Sequence, residues 1–249
     1  MASLILALRF LTIVPVPGRE AAGPGALGRA AWWFPAVGLG LGAALSAADR
    51  LLAQAFSPML AAVLVLVAWK VATGGIHLDG LADSLDGLGG ATREQRLAIM
   101  RDSRVGVFGA AGLVLCVLTA VIALAELPAG LRGVALIASP ALGRIAPALA
   151  GSIAAAPEPR SGLGADFLGG LSRWSGPAQL VAAGAALALA LGAVGLAPVA
   201  AAAGATLLWA ALMIRRLGGL TGDALGAAVE VAELAALLAF AALGHRRWA

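Results

Sequence analysis

The sequence predicts an all-α integral membrane protein, a polytopic bundle of six or seven transmembrane helices forming a single domain over residues 1–249. Hydrophobic residues make up 61% of the chain and charged residues only 12%. The mean hydropathy of +0.96 is far above values typical of soluble proteins. Apolar runs long enough to cross about 30 Å of hydrocarbon recur along nearly the whole chain. They leave no room for a separate soluble domain.

Helix-breaking residues divide the apolar sequence into seven candidate spans. The first is short and begins near Trp32 and Trp33, whose amphipathic rings suit the bilayer interface. Before it, the segment from Leu4 to Val16 is predicted to be interfacial or re-entrant. Pro157 ends the fourth run and Pro198 separates the fifth from the sixth. The predicted spans are residues 33–48, 59–76, 107–125, 133–156, 177–197, 199–214 and 226–243.

The distribution of arginine predicts the orientation, because cytoplasmic loops carry an excess of Lys and Arg. With seven spans, one face receives most arginines, and we assign it to the cytoplasm. The other face receives Arg50, Arg132 and the C-terminal pair Arg246 and Arg247, a pair that argues against an odd number of spans. No basic tract indicates nucleic-acid binding. The predicted cytoplasmic arginines are Arg9, Arg19, Arg29, Arg93, Arg96, Arg101, Arg104, Arg160, Arg173, Arg215 and Arg216.

The stretch GGIHLDGLADSLDGLGG places three aspartates at the cytoplasmic edge of the second span. Asp79, Asp83 and Asp86 stand at i, i+4 and i+7, within an arc of about 60° on a helix. Hard oxygen ligands at this density suit Mg²⁺ or Mn²⁺. The alternative is a stripe that faces water or pairs with downstream arginines. His77 is a candidate metal ligand, general acid or base, or ordinary interfacial histidine.

A basic segment, REQRLAIMRDSRVGVFG, follows the aspartates and precedes the third span. Within it, Arg101, Asp102, Ser103 and Arg104 are candidate substrate-binding residues, since guanidinium forks bind phosphate oxygens bidentately. Positive-inside anchoring alone also explains arginines at this position. Beside a carboxylate metal site, however, they favour a pyrophosphate substrate, whose leaving charge needs cations.

A second acidic cluster accompanies the last span. Asp223 stands at its predicted cytoplasmic start, with Glu230 and Glu233 inside it. Charge within a membrane is costly, so these side chains are functional candidates, and their spacing allows all three to face one cavity. Alternatively, Asp223 caps the helix. Arg144 is a natural partner for either glutamate, which would make that glutamate structural.

Several motifs, in this order, resemble those of the cobalamin synthase family, the adenosylcobinamide-GDP ribazoletransferases. Beyond the two segments quoted above, they include SPALGRIAPAL, GLGADF and GGLTGDALGAAVEVAEL. The N-terminal RFLTIVPVP and WWFPAVGLGLG are also similar to that family. The resemblance spans nearly the whole chain. The H-L-D-G-L-A-D-x-x-D-G and R-D-S-R-x-G blocks are its most specific parts.

The resemblance implies a late step of cobalamin biosynthesis in the bacterial inner membrane. α-Ribazole or its 5′-phosphate attacks the β-phosphate of adenosylcobinamide-GDP and releases GMP, with Mg²⁺ as cofactor. Other cobalamin-assembly enzymes and a second copy of the chain are partners that the sequence leaves open. Two alternatives are a CDP-alcohol type phosphotransferase, whose motif spacing the chain lacks, and a divalent-cation transporter.

Combined with this resemblance, the residue patterns suggest a role for each candidate. The aspartate stripe would hold Mg²⁺ on the pyrophosphate, and His77 or Asp83 would be the base for the ribose hydroxyl. Arg101 and Arg104 would neutralise phosphate, and Asp223 would complete the metal or nucleoside site. We expect these groups to form one active site facing the cytoplasm.

Overall fold

A computed structural model describes residues 1–157 and 162–248, and all regular structure within these ranges is helical. Arg160 and the side chains of Arg246 and Arg247 lie outside the described part. The predicted all-α fold class is confirmed. The helices are α1 (Ala2–Leu11), α2 (Ala26–Ala30), α3 (Phe34–Leu52), α4 (Pro58–Ala72), α5 (Ile76–Leu88), α6 (Arg93–Ile99), α7 (Val107–Glu126), α8 (Ala129–Gly151), α9 (Gly162–Gly170), α10 (Ser175–Leu191), α11 (Leu196–Leu217) and α12 (Gly222–Trp248).

Five helical segments within the described ranges are long and apolar enough to cross a membrane, and two bent helix pairs raise the total to seven. In the bent pairs, α4 meets α5 at 90° and α9 meets α10 at 77°. We treat α4 and α10 as the spanning members and α5 and α9 as helices at the membrane surface. Helix α1 has ten residues, about 15 Å, and is too short to cross. The five unbroken segments are Ala26–Leu52, Val107–Glu126, Ala129–Gly151, Ala193–Leu217 and Gly222–His245.

The predicted second span ends earlier than expected. Residues 59–76 were predicted to cross, whereas α4 stops at Ala72 and the chain turns by 90° into α5. Gly74 and Gly75 form this turn with φ angles of +63° and +68°. Glycine adopts such angles without the steric penalty that a Cβ brings. The pair therefore sends α5 along the membrane surface.

Helix α8 forms the centre of the bundle, and its second half is almost entirely buried. It packs closely against α3, where Gly38 and Gly42 face its backbone. A Cβ on Gly38 would lie 2.6 Å from the carbonyl oxygen of Pro140, and one on Gly42 would lie 2.6 Å from that of Leu136. Small residues therefore let these two helices approach closely, as is common in membranes.

Loops from distant parts of the chain meet at one end of the bundle. The backbone amide of Gly25 donates to Asp166 Oδ1 over 2.6 Å, and that of Leu220 donates to the carbonyl oxygen of Ala155 over 3.0 Å. The predicted arginine-rich segments thus share this end. At the opposite end, Arg132 pairs with Asp49, with a shortest N to O distance of 2.6 Å.

Candidate active site

Helix α5 carries the aspartate stripe, as the spacing of these residues predicted. Asp79 is exposed, whereas Asp83 and Asp86 are half-buried. A Cβ on Gly80 would lie 2.7 Å from the carbonyl oxygen of Asp223, so α5 and the start of α12 touch through their backbones. This contact brings Asp223 to the stripe from more than 130 positions away in the sequence. Gly80 serves helix packing.

The carboxylates around Asp83 repel one another. Burial, and after it the charges of Asp79, Asp223 and Asp86, together raise the pKa of Asp83 to about 6. Within the described ranges, no cationic side chain forms an ion pair with any of these four aspartates. These four aspartates therefore form a concentrated group of negative charges without an ion-pair partner in the described part of the chain.

Asp86 differs from its neighbours because α7 engages both of its oxygens. Its carboxylate accepts the backbone amide of Gly106 over 2.7 Å and that of Gly109 over 2.9 Å. A negative charge at a helix N-terminus is favourable, since these amides lack intrahelical partners. A Cβ at either glycine would collide with the carboxylate. Asp86 thus joins α5 to the start of α7.

The remaining carboxylates are the candidate ligands for the predicted Mg²⁺. In residues 1–157 and 162–248, no group of three or more His, Cys, Asp or Glu side chains is placed so that it could hold a metal ion by itself. Mg²⁺ seldom needs such a group, because it usually binds one or two carboxylates together with water and substrate phosphates. Asp79, Asp83 and Asp223 supply hard oxygen donors of the required charge. The predicted cofactor is compatible with this donor set and stays a prediction.

A cavity of about 640 Å³ lies beside the stripe and is lined by residues of α1, α5, α9 and α12. Cavities of this size hold drug-sized ligands. Three predicted residues from separate segments line it, namely His77, Arg101 and Asp223. Asp223 also contributes to the charge around Asp83, so it links the cavity to the stripe. The predicted site residues outside the lining are Asp79, Asp83, Asp86, Asp102, Ser103 and Arg104.

His77 contributes a neutral imidazole to the cavity wall. Its side chain is only 5% exposed. Burial lowers the pKa of His77 well below its usual value, and the positive charges of Arg144 and Lys70 lower it further. A neutral ring can accept a proton from a hydroxyl group held in the cavity.

The two arginines predicted to bind phosphate have different environments. Arg101 lines the cavity, and its side chain makes no hydrogen bond or ion pair with another described residue. Arg104 is instead paired with Asp102, with Nη2 to Oδ2 at 2.6 Å. Hydrogen bonds from Arg104 lower the pKa of Asp102 to about 2. Ser103 is exposed in the same loop. Arg101 is therefore the arginine available to a ligand in the cavity.

Arg9 is a cavity residue that the sequence did not single out as a site residue. Its guanidinium donates to the carbonyl oxygen of Val16 over 2.8 Å and to that of Gly18 over 3.0 Å, and it pairs with Glu20 at 3.1 Å. It thereby ties the loop after α1 to the cavity rim. Its only signal in the sequence is its place in the RFLTIVPVP motif.

The intramembrane glutamates form a cluster separate from the cavity. Glu233 pairs with Arg144, as predicted, and also with Lys70 over 3.0 Å. Lys70 Nζ lies 2.6 Å from Glu230 Oε2. The expectation that Asp223 shares one cavity with both glutamates is wrong, because the glutamates border a small separate void beside Cys116. Lys70, the only lysine in the sequence, was not predicted.

Comparison with known proteins gives a full-length relationship. The sequence profile of the family described as cobalamin-5-phosphate synthase matches residues 3–241. The chain is 39% identical to an adenosylcobinamide-GDP ribazoletransferase from Chlorobium phaeobacteroides (strain BS1), over 94% of this chain and 95% of that protein. It is 41% identical to the enzyme of that name from Pseudomonas syringae pv. syringae (strain B728a), over 96% and 98% of the two chains. No solved structure gives a significant match.

Proposed function

The chain belongs to the cobalamin-5-phosphate synthase family, and from this membership we propose that it joins adenosylcobinamide-GDP to α-ribazole or its 5′-phosphate. The chain is a transferase of phosphate-containing groups in cobalamin synthesis. The observation that carries the substrate proposal is the cavity in which His77, Arg101 and Asp223 meet beside the aspartate stripe. This arrangement combines a proton acceptor, a phosphate-binding cation and carboxylates, which are the groups that displacement at a diphosphate requires.

In the proposed step, a ribose hydroxyl oxygen of α-ribazole forms a bond to the β-phosphorus, the phosphorus attached to cobinamide. The bond from this phosphorus to the bridging oxygen breaks, and GMP leaves with the electron pair. His77 accepts the hydroxyl proton, since its neutral ring lines the cavity. Arg101 stabilises the charge that develops on the leaving phosphate. His77 is preferred to Asp83 as the base because Asp83 lies outside the cavity lining.

We propose that Mg²⁺ binds one or two of the carboxylates of Asp79, Asp83 and Asp223 together with substrate phosphate oxygens. When bound, Mg²⁺ would neutralise charge on the diphosphate oxygens. Asp83→Asn keeps the shape of the side chain and removes its charge, so we expect it to lose most turnover while the protein still inserts into membranes. Wild-type turnover of this variant at saturating Mg²⁺ would remove Asp83 from the metal site.

A synthesis assay tests the reaction itself. Purified protein in lipid nanodiscs is incubated with adenosylcobinamide-GDP, α-ribazole and Mg²⁺, and GMP and the corrinoid product are quantified by liquid chromatography. His77→Gln and Asp223→Asn should each lower kcat by about a hundredfold or more. Glu126→Gln is the matched control, because Glu126 is exposed at the opposite end of the bundle. Failure of the wild-type protein to release GMP would refute the proposed function.

We also propose that the site faces the cytoplasm from the inner membrane, on the basis of the positive-inside rule. Single cysteines at Ser103 and Ser172, both exposed at the site end, test this in a Cys116→Ala background. Both should react with a membrane-impermeant maleimide only in inverted vesicles. A cysteine at Gln54, at the opposite end, should react only in spheroplasts. The reverse labelling pattern would show that the site faces away from the cytoplasm and would refute the proposed orientation.

The pairing of the intramembrane charges argues against the transporter alternative. A cation pathway needs carboxylates that are free to bind ions along a pore. Glu230 and Glu233 instead bind Lys70 and Arg144, and these two cations balance both negative charges. The cluster is therefore suited to holding α4, α8 and α12 together.

A further inference from the structure

One wall of the cavity is built from three phenylalanine rings. Phe10 of α1, Phe34 of α3 and Phe167 of α9 all line the cavity. The ring centroids of Phe10 and Phe34 are 6.0 Å apart with an interplanar angle of 21°, and those of Phe34 and Phe167 are 5.9 Å apart at 23°. Three helices distant in sequence thus contribute to one aromatic stack, which we call the phenylalanine wall, and Phe10 is its most exposed ring because Phe34 and Phe167 are only 1% and 4% exposed.

Apolar side chains accompany the phenylalanine wall in the cavity lining, although the charged Arg9 is the chain neighbour of Phe10. Leu11, Leu27 and Leu163 also line the cavity. None of these side chains donates or accepts a hydrogen bond, so a polar group placed against them would lose its hydrogen bonds to water without replacement. Flat apolar rings gain most from such a surface, through area burial and offset stacking. The wall therefore selects a planar ligand with few polar edges.

The heterocyclic bases of the two proposed substrates differ in how many polar atoms they carry along their edges. The guanine of the donor carries hydrogen-bond donors and acceptors along both edges, and burying them against leucine and phenylalanine would be costly. The benzimidazole of α-ribazole is an apolar bicycle whose polar atoms are its two ring nitrogens. The wall is therefore better suited to the acceptor than to the donor.

Resting on the proposed function, we propose that the phenylalanine wall is the subsite for the benzimidazole base of α-ribazole. The ribose then extends towards His77 and Asp223, the polar groups of the same cavity. The diphosphate of the donor approaches from the aspartate stripe, and the bulky corrinoid remains outside. This places the two substrates on opposite sides of Asp223, which borders both regions.

Replacement of one terminal ring of the stack tests the subsite. Phe10→Leu keeps an apolar side chain but removes the aromatic face. The Kd for α-ribazole alone, measured by calorimetry on the protein in nanodiscs, should rise roughly two- to tenfold. KM for α-ribazole should rise in parallel, KM for adenosylcobinamide-GDP should not change, and Phe10→Tyr should restore affinity.

Two further variants complete the design. Phe167→Leu removes the other terminal ring from a different helix and should show the same selective loss. Phe56→Leu is the control, because Phe56 is 42% exposed at the opposite end of the bundle, and its affinities should equal those of the wild type.

The possible outcomes of these measurements test the subsite independently of the proposed reaction. A loss of affinity for GMP and the donor, with α-ribazole binding unchanged, would assign the wall to guanine and overturn the proposal. Unchanged affinities in both Phe10→Leu and Phe167→Leu would also overturn it, leaving the rings as packing residues. In either case a wild-type protein that still releases GMP would leave the proposed function standing.

Discussion

Replacing Arg101 by lysine separates membrane anchoring from phosphate binding. Lysine keeps the positive charge that orients the loop but lacks the planar guanidinium fork that binds two phosphate oxygens. Arg101 lines the cavity and is bound to no other described side chain, so its guanidinium is available to a substrate. We expect Arg101→Lys to insert normally and to lose transition-state stabilisation.

The size of the loss follows from the hydrogen bonds involved. A bidentate contact that becomes a single contact loses one charge-assisted hydrogen bond, worth about 1.5–3 kcal/mol. Each 1.4 kcal/mol corresponds to roughly tenfold in rate. The value of kcat/KM for adenosylcobinamide-GDP should therefore fall roughly ten- to hundredfold. Initial rates of GMP release at subsaturating donor concentration measure it directly.

Arg104→Lys is the matched control in the same loop. The side chain of Arg104 is 87% exposed, lies outside the cavity lining and is paired with Asp102. Exposed ion pairs contribute little, so this variant should stay within about threefold of the wild type. Equal losses in the two variants would refute the distinction between them. Near-wild-type rates in both would assign Arg101 to membrane anchoring alone.

Three further predictions concern the metal site, the helix contact and the charge cluster. Because the pKa of Asp83 is raised to about 6, Mg²⁺ affinity measured by calorimetry should increase between about pH 5 and pH 7 as the carboxyl group ionises, and Asp83→Asn should flatten this rise. Gly80→Ala should lower kcat/KM at least about tenfold by forcing α5 away from α12, whereas Gly40→Ala, which meets open space, should have no effect on the same assay. Glu233→Gln leaves a buried arginine uncompensated and should destabilise the fold by about 3–5 kcal/mol, whereas adding Arg144→Met should recover part of the loss in thermal unfolding scans.

The membrane architecture was largely predictable because a bilayer leaves few choices. A backbone in hydrocarbon must satisfy its own hydrogen bonds, so a sufficiently long apolar run becomes a helix. The third predicted span, residues 107–125, matches α7, Val107–Glu126, almost residue for residue. The end of α4 was missed by four residues, because it depends on the φ angles of Gly74 and Gly75 rather than on hydropathy.

The assembly of the site was only partly predictable, because it depends on contacts between distant segments. Helical spacing placed Asp83 and Asp86 on one face but did not show that Asp86 reaches the amides of α7. Likewise, Arg101 and Arg104 are equivalent in sequence, and only the fold turns one towards the cavity. Arg9 lies about 90 positions from either arginine, so no local pattern connects it to them.

The partners of the carboxylates suggest which of them serve function. Most of the described acidic side chains bind a cation, a hydroxyl group or an amide of another segment, and these are Glu20, Asp49, Asp86, Glu94, Asp102, Asp166, Glu230 and Glu233. Asp79, Asp83 and Asp223 have no such partner within the described ranges, although they stand together. Burial and, after it, the neighbouring like charges raise the pKa of Asp83 to about 6, so its ionisation opposes folding near neutral pH. A cation bound among them would remove this repulsion. Among the acidic clusters of the described residues, this one would therefore gain stability from Mg²⁺, whereas the others are already paired, which is the reason to look for the metal here.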